Sequence, residues 1–523
     1  MPVLRLTALP VVLLGALSVA LAPLPAAAQS VDETINQIFA DYTSWYVALI
    51  FADLPGTNFS WIALWLVVAA LVFTFYFRGI QFRGFWHSIR LVRGDYADPN
   101  DAGEVSHFQA LATALSGTVG LGNIAGVAVA VSIGGPGATF WMIMAGIFGM
   151  ATKFTECTLG VKYRNEYPNG FVSGGPMYYM TKGFQERGLK GGTVFAVLFC
   201  FFTILGALGG GNMFQANQAH AQIANVVGDF PGWITGIVLA AITFAVIAGG
   251  LKSIARVTEK VVPFMGIFYV VVSIAILIVH AEDILWAFGR IIEGAFTGLG
   301  VVGGFTGALI QGFRRAAFSN EAGIGSAAIA HSAVRTKEPV TEGYVALLEP
   351  FIDTVVICTM TALVIVITGV LQVDPETGLY VWNAEAGQIA TEGGVSGVAL
   401  TSAAYAQVFS WFPALLAVAV VLFAFSTMLS WSYYGLKAWT YLLGEGPIKE
   451  VIFKIIFCLF IVIGAAASLG PVIDFSDSML FSMAVVNVIA LYLLMPIVRA
   501  ELERYVAKLK AGEFTRASAK PAE

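Results

Sequence analysis

Eleven apolar runs of membrane length constrain this chain before anything else does. They cover roughly 61–78, 107–133, 138–162, 193–214, 231–249, 259–280, 304–331, 344–371, 408–434, 451–469 and 477–497. A helix that crosses a bilayer needs about 20 mostly apolar residues. In water such runs would need a large polar coat. Only 12% of residues are charged, against 58% hydrophobic and a mean hydropathy of +0.80; a soluble chain carries about 25% charge. Lipid must therefore be the solvent for most of the surface, and a disordered chain is excluded for the same reason. The net charge of −5 without a basic patch excludes nucleic acid as a partner. The expected fold is an all-α polytopic membrane protein of eleven transmembrane helices.

The N-terminus has a basic start, an apolar core and an Ala26-Ala27-Ala28 site. That pattern predicts a cleavable signal peptide over 1–28, with an uncleaved first helix as the alternative. Residues 29–60 are then an external segment, and a bacterial-type signal on such a chain points to a Gram-negative inner membrane. Charge asymmetry sets the topology. Arg78, Arg83, Arg90, Arg93, Lys182, Arg187, Lys190, Lys252, Arg256, Arg335, Lys337, Lys437, Lys449, Arg499, Arg504, Lys508 and Lys510 fall on one side. Apart from Arg290 the other side is essentially acidic: Asp32, Glu33, Asp229, Asp283, Asp374, Glu376 and Glu392. By the positive-inside rule the N-terminus is outside, and the 498–523 tail is cytoplasmic. Cys157, Cys200, Cys358 and Cys458 lie apart in apolar runs, so neither a disulfide framework nor a transition-metal site is expected.

Two spans look broken. Ser116-Gly117-Thr118-Val119-Gly120-Leu121-Gly122-Asn123 places three glycines and three polar side chains mid-span. Phe318-Ser319-Asn320-Glu321-Ala322-Gly323-Ile324-Gly325-Ser326 adds a carboxylate at depth. Backbone breaks in a membrane are tolerated only where protein or a wet cavity satisfies the freed groups. Gly120-x-Gly122 formally matches a dinucleotide fingerprint, but no βαβ unit surrounds it. Close helix packing accounts for the glycines and not for the polar residues between them. Five spans begin with each break and run in opposite senses. The expected organisation is an extra first span over 61–78, a first five-span repeat over 106–280 and an inverted second repeat over 304–497, the arithmetic of a secondary transporter. A half-helix N-terminus suits a carboxylate, whereas half-helix C-termini and unwound carbonyls suit a cation.

The run Thr113 to Lys162 and the run Gly312-Phe313-Arg314-Arg315-Ala316-Ala317-Phe318-Ser319-Asn320-Glu321-Ala322-Gly323-Ile324-Gly325-Ser326-Ala327 resemble the sodium:alanine (alanine or glycine:cation) symporter family. So do Ser173-Gly174-Gly175-Pro176-Met177-Tyr178-Tyr179 and Val257-Thr258-Glu259-Lys260-Val261-Val262-Pro263-Phe264. The resemblance covers about residues 60–500. More distantly, both breaks resemble the neurotransmitter:sodium symporters, with their inverted five-plus-five core. The resemblance implies Na⁺-coupled uptake of alanine, glycine or a similar small neutral amino acid, by a monomer, with Na⁺ as coupling ion and no cofactor. A proton-coupled transporter of the same fold is the alternative; a channel and a membrane enzyme are less well supported by these residues.

In that reading Thr118, Gly120, Leu121 and Gly122 hold the substrate carboxylate from the first break. Phe318, Ser319, Asn320 and Glu321 face it from the second, and Glu321 meets the ammonium. Asn212, Phe214 and Gln215 cross beside the breaks, while Trp431 and Met428 cap the pocket. Ser116 and Val119 carbonyls, with Phe423, Ser426 and Thr427, hold Na⁺. Ser426 and Thr427 hydroxyls can instead bond back to the preceding turn. Asn123, Ser319 and Thr354 are candidates for a second cation site. An ionisable group within a span needs a partner, so Arg314 or Arg315 is expected to pair with Glu349 or Asp353. His107 and His331, at span ends, are expected at the interface.

Overall fold

The computed structural model describes residues 43–57, 59–98, 100–167, 171–297 and 304–514. The expected signal peptide over 1–28 lies outside the described residues, as do residues 29–42 of the external segment. What is described is almost entirely helical, with two small hairpins: β1 (Asn165–Glu166) with β2 (Val172–Ser173), and β3 (Trp382–Asn383) with β4 (Gln388–Ile389).

The helices are α1 (Trp61–Tyr76), α2 (Ile80–Val92), α3 (His107–Thr118), α4 (Val127–Gly134), α5 (Gly137–Lys162), α6 (Pro176–Glu186), α7 (Gly192–Leu208), α8 (Phe214–Val227), α9 (Gly232–Ile247) and α10 (Gly250–Val279). They continue as α11 (Ile284–Thr297), α12 (Gly304–Asn320), α13 (Ser326–His331), α14 (Pro339–Ala346), α15 (Thr359–Ile367), α16 (Val398–Ala406), α17 (Phe412–Leu443), α18 (Pro447–Ala466) and α19 (Leu469–Ala511). Wider π-helical turns occupy Gly122–Gly126, Gly209–Met213 and Phe351–Cys358. Such turns are frequent at functional sites.

Among the described residues, five helices are individually long and apolar enough to cross a membrane, and up to seven if each bent pair counts as one. The chain is a multi-pass membrane protein. The bent pairs are α1 with α2, at 75°, and α3 with Gly122–Gly134, at 51°. Helix α2 and helix α11 lie in stretches read from sequence as connections.

Glycines bring the helices close, as expected in lipid, where association rests on packing. A Cβ on Gly312 of α12 would sit 2.5 Å from the Ala138 carbonyl oxygen of α5. One on Gly464 of α18 would sit 2.4 Å from Met213 Cα. These crossings hold α12 on α5 and α18 on the Gly209–Met213 turn, and so fix the surroundings of both breaks.

Candidate functional site

Helix α3 starts in a capping box. Ser106 Oγ accepts from the Gln109 backbone N–H at 3.2 Å and Gln109 Oε1 accepts from the Ser106 N–H at 3.1 Å. It ends at Thr118, where Val119 leaves helical geometry (ψ 81°). The unwound backbone is held by side chains. Gly120 N–H donates to Asn123 Oδ1 (2.9 Å) and Leu121 N–H to Gln215 Oε1 (3.1 Å). Two side-chain oxygens thus occupy the positions expected for a substrate carboxylate. Gln215 is fixed in turn, donating from Nε2 to the Gly210 carbonyl at 2.9 Å.

The second break follows α12. Glu321 (φ 57°), Gly323 (φ 92°) and Gly325 (φ 90°) take left-handed conformations in quick succession. Asn487 Nδ2, on α19, donates to the freed Gly323 carbonyl at 2.9 Å. Glu321 Oε1 accepts from Trp431 Nε1 of α17 at 2.9 Å, and Oε2 accepts from Ser326 Oγ. Trp431 lies over glycine: a Cβ on Gly211 would fall 2.1 Å from its ring.

Between the breaks lies a small cavity of about 10 Å³, room for about one water molecule. Gly117, Thr118 and Gly122 line it from the first break, Phe318 and Glu321 from the second. Gly210, Gln215, Trp431 and Leu480 complete it. Sequence reasoning named Thr118, Gly122, Gln215, Phe318, Glu321 and Trp431, and missed Gly117, Gly210 and Leu480. Gly210 stands in the Gly209-Gly210-Gly211 run, a usable signal. Leu480 is one leucine in an apolar helix and carries none. Phe214 packs edge-on against Phe318, ring centroids 5.0 Å apart, and supports the wall. Asn212 donates to the Phe457 carbonyl at 2.6 Å, away from the cavity. Met428 and Leu121 are buried but do not line it.

Beside the cavity Ser116 Oγ donates to the Ser426 carbonyl at 2.6 Å, bringing α3 onto α17. Ser426 Oγ bonds back to the Phe423 carbonyl at 3.0 Å. Thr427 Oγ1 is buried and, among the described residues, has no hydrogen-bond partner. It sits 2.4 Å from where a Gly120 Cβ would be. Val119 lies between Thr118 and Gly120 in the unwound stretch.

A second polar cluster ties the breaks together. Asp353 Oδ1, in the Phe351–Cys358 turn, accepts from Asn123 Nδ2 (2.6 Å) and Ser319 Oγ (3.1 Å). Its Oδ2 accepts from Thr354 Oγ1 at 2.7 Å, and Asn320 Nδ2 donates to Thr354 Oγ1 at 2.9 Å. The candidates Asn123, Ser319 and Thr354 therefore do come together, around a carboxylate, while Ser319 and Asn320 are turned from the cavity.

Two expectations need correction. Arg314 and Arg315 pair neither with Glu349 nor with Asp353. Arg314 Nε meets Asp477 Oδ2 of α19 at 2.8 Å, and Arg315 Nη2 meets the same oxygen. Asp477 lies one turn before Leu480, and Arg315 one turn before Phe318, so the pair sits one turn beyond the cavity wall. Glu349 instead bonds Lys153 Nζ (3.2 Å) and His331 Nε2 (2.6 Å). Nor are His107 and His331 exposed at the span ends. Both are buried and both bond Glu342, because the segment 339–358 folds over them. Cys157, His331 and Glu349 place ligand atoms within 4.8 Å of one another. However, both His331 nitrogens and both Glu349 oxygens are already engaged, so the group reads as a hydrogen-bonded network.

Apolar helices broken at two places around a small polar cavity define a multi-pass membrane transporter. The sequence profile described as "Sodium:alanine symporter family" matches residues 45–519, and the chain belongs to that family. It is a transporter and not an enzyme. The "Sodium/alanine symporter AgcS" of Methanococcus maripaludis is 40% identical over 420 residues, covering 80% of this chain and 88% of that one. The "Probable sodium/glutamine symporter GlnT" of Bacillus subtilis is 34% identical, covering 86% and 88%. The "Amino-acid carrier protein AlsT" of Bacillus subtilis is 32% identical, covering 87% and 92%.

Proposed function

We propose that the chain is a Na⁺-coupled symporter that takes up alanine, glycine or a similar small neutral amino acid by alternating access. The observation that carries this reading is the cavity shared by both breaks. Its walls at Gly117, Gly122 and Gly210 have no side chains, and Trp431 and Phe318 fill the space a large substrate side chain needs. The substrate carboxylate displaces the Asn123 and Gln215 oxygens from the Gly120 and Leu121 N–H groups. The ammonium meets Glu321, whose carboxylate Trp431 and Ser326 orient. Na⁺ binds where Thr427 Oγ1 meets the Ser116–Gly120 stretch, with Val119, Phe423 and Ser426 as further ligands.

The chain has eleven spans: one over 61–78, then two inverted sets of five over 106–280 and 304–497. The N-terminus is external after removal of 1–28, the 498–523 tail is cytoplasmic, and the membrane is an inner one. At −100 mV each inward charge contributes about 2.3 kcal/mol, a gradient of roughly fifty-fold.

Counterflow in proteoliposomes with alanine, glycine, serine and glutamine is the direct test. Accumulation of the short side chains in Na⁺, and its loss in choline, is expected. Uptake indifferent to choline sinks the coupling. Uptake driven by an imposed pH gradient without Na⁺ transfers the function to the proton-coupled alternative.

A further inference from the structure

The turn between α1 and α2 is built at a cost. The chain bends by 75°, with Arg78 in the left-handed conformation (φ 55°) ahead of Gly79 (φ 64°). A side chain rarely adopts that backbone, and such strain collects where something else depends on it.

Beyond the turn, α2 packs one face on the protein. A Cβ on Gly84 would fall 2.4 Å from the Tyr344 ring. Its other face exposes Phe82 (67%) and Trp86 (73%) together with Arg83, Arg90 and Arg93. A helix with exposed aromatics beside basic residues lies in the plane of a membrane interface. The bend, α2 and the last turns of α19 border an open cleft of about 470 Å³ at that level.

The cleft joins two chemistries. Ile80, Leu502 and Val506 give it an apolar side, while Arg78, Arg83, Arg499 and Lys510 give it a basic one. Glu503 is the one acid lining it, and it is taken by Arg499, Nε to Oε1 at 3.1 Å. Among the described residues Arg83 donates to the Phe77 carbonyl, at 2.9 Å. Among the described residues no carboxylate pairs with Arg78, Arg83 or Lys510. Three positive charges therefore converge on an apolar cleft at headgroup depth.

We propose that this cleft binds an anionic phospholipid. Its phosphate oxygens accept from Arg78, Arg83 and Lys510, and one acyl chain runs along Ile80, Leu502 and Val506. Basic pockets between helices at the cytoplasmic face suit such headgroups. A free phosphate would satisfy the cations but leave the apolar side bare. The cleft and the transport site share one helix, because α19 also carries Leu480 at the cavity and Asn487 at the second break.

The full chain, purified in mixed phosphatidylcholine and phosphatidylglycerol, tests this by native mass spectrometry. Wild-type protein is expected to retain phosphatidylglycerol over phosphatidylcholine. The variant R78Q/R83Q/K510Q should lower that retention by ~100-fold, through loss of three basic contacts. K510Q alone, at the exposed end of α19, should give a partial loss and leaves the fold undisturbed if the triple variant fails to assemble. Equal retention of the two lipids by wild type overturns the proposal, as does unchanged retention in either variant. Displacement of phosphatidylglycerol by excess inorganic phosphate assigns the site to a free anion instead.

Discussion

The two breaks share a glycine-x-glycine frame and use it for different reasons. In the first, Gly120 and Gly122 have no positive φ; what they lack is room. A Cβ on Gly120 would meet Thr427 Oγ1 at 2.4 Å, and one on Gly122 would meet Ser319 Cα at 3.2 Å. In the second, Gly323 and Gly325 take the left-handed backbone (φ 92° and 90°), and Gly325 is crowded as well, since its Cβ would fall 2.8 Å from Pro176 Cγ. Gly323 has only Val488 Cγ2, at 3.3 Å, inside ordinary contact distance. The first break is thus a surface of close approach, held by the neutral side chains of Asn123 and Gln215. The second is a conformational device, and it carries the carboxylate. Glu321 itself takes φ 57°, which ties a charged group to a strained backbone. One break brings ligands together; the other points a charge.

Breaking that division gives the largest effect at the charge. Glu321→Gln keeps the volume and the bond from Trp431 but removes the anion. Amino acid uptake is expected to fall by ~100-fold, on the order of 3 kcal/mol, with the protein still monodisperse. Uptake near wild type would place the ammonium elsewhere. Gly120→Ala comes next. Its methyl displaces the Thr427 hydroxyl, so a fall of ~10-fold with a raised Na⁺ half-saturation is expected, about 1.4 kcal/mol. A loss of thermal stability with unchanged Na⁺ dependence would show that the first break, too, is mainly conformational. The smallest effect belongs to Gly323→Ala, whose methyl needs only a small shift of the Val488 side chain but lacks the backbone for it. It should cost ~1 kcal/mol of stability, read as a lower thermal midpoint, and leave the Na⁺ requirement alone.

Much of this was legible because helix breakers and polar groups stand out against an apolar background. Gly120, Gly122, Gly323 and Glu321 could be read directly, and Gln215 and Trp431 followed from which spans cross beside the breaks. What sequence did not carry was rotational phase. Arg314 and Arg315 needed an acid, and several lay at suitable depth. The choice of Asp477 depends on how α12 and α19 face each other. Leu480 is invisible for the same reason, since a lipid-facing and a cavity-facing leucine look alike. His107 and His331 were misplaced because span ends mark depth along the normal and not whether another segment folds over them.

Helix α19 gathers much of the molecule onto one rod. Its 43 residues extend about 65 Å, roughly twice the hydrocarbon thickness. Along it stand Asp477 against the two arginines, Leu480 at the cavity wall, Asn487 on the second break, and Arg499 to Lys510 at the basic cleft. Such a rod is a lever. A tilt of about 5° displaces a point 30 Å from its pivot by roughly 2.6 Å, close to the length of a hydrogen bond. Pro496, between Asn487 and Arg499, is the place where that lever can flex.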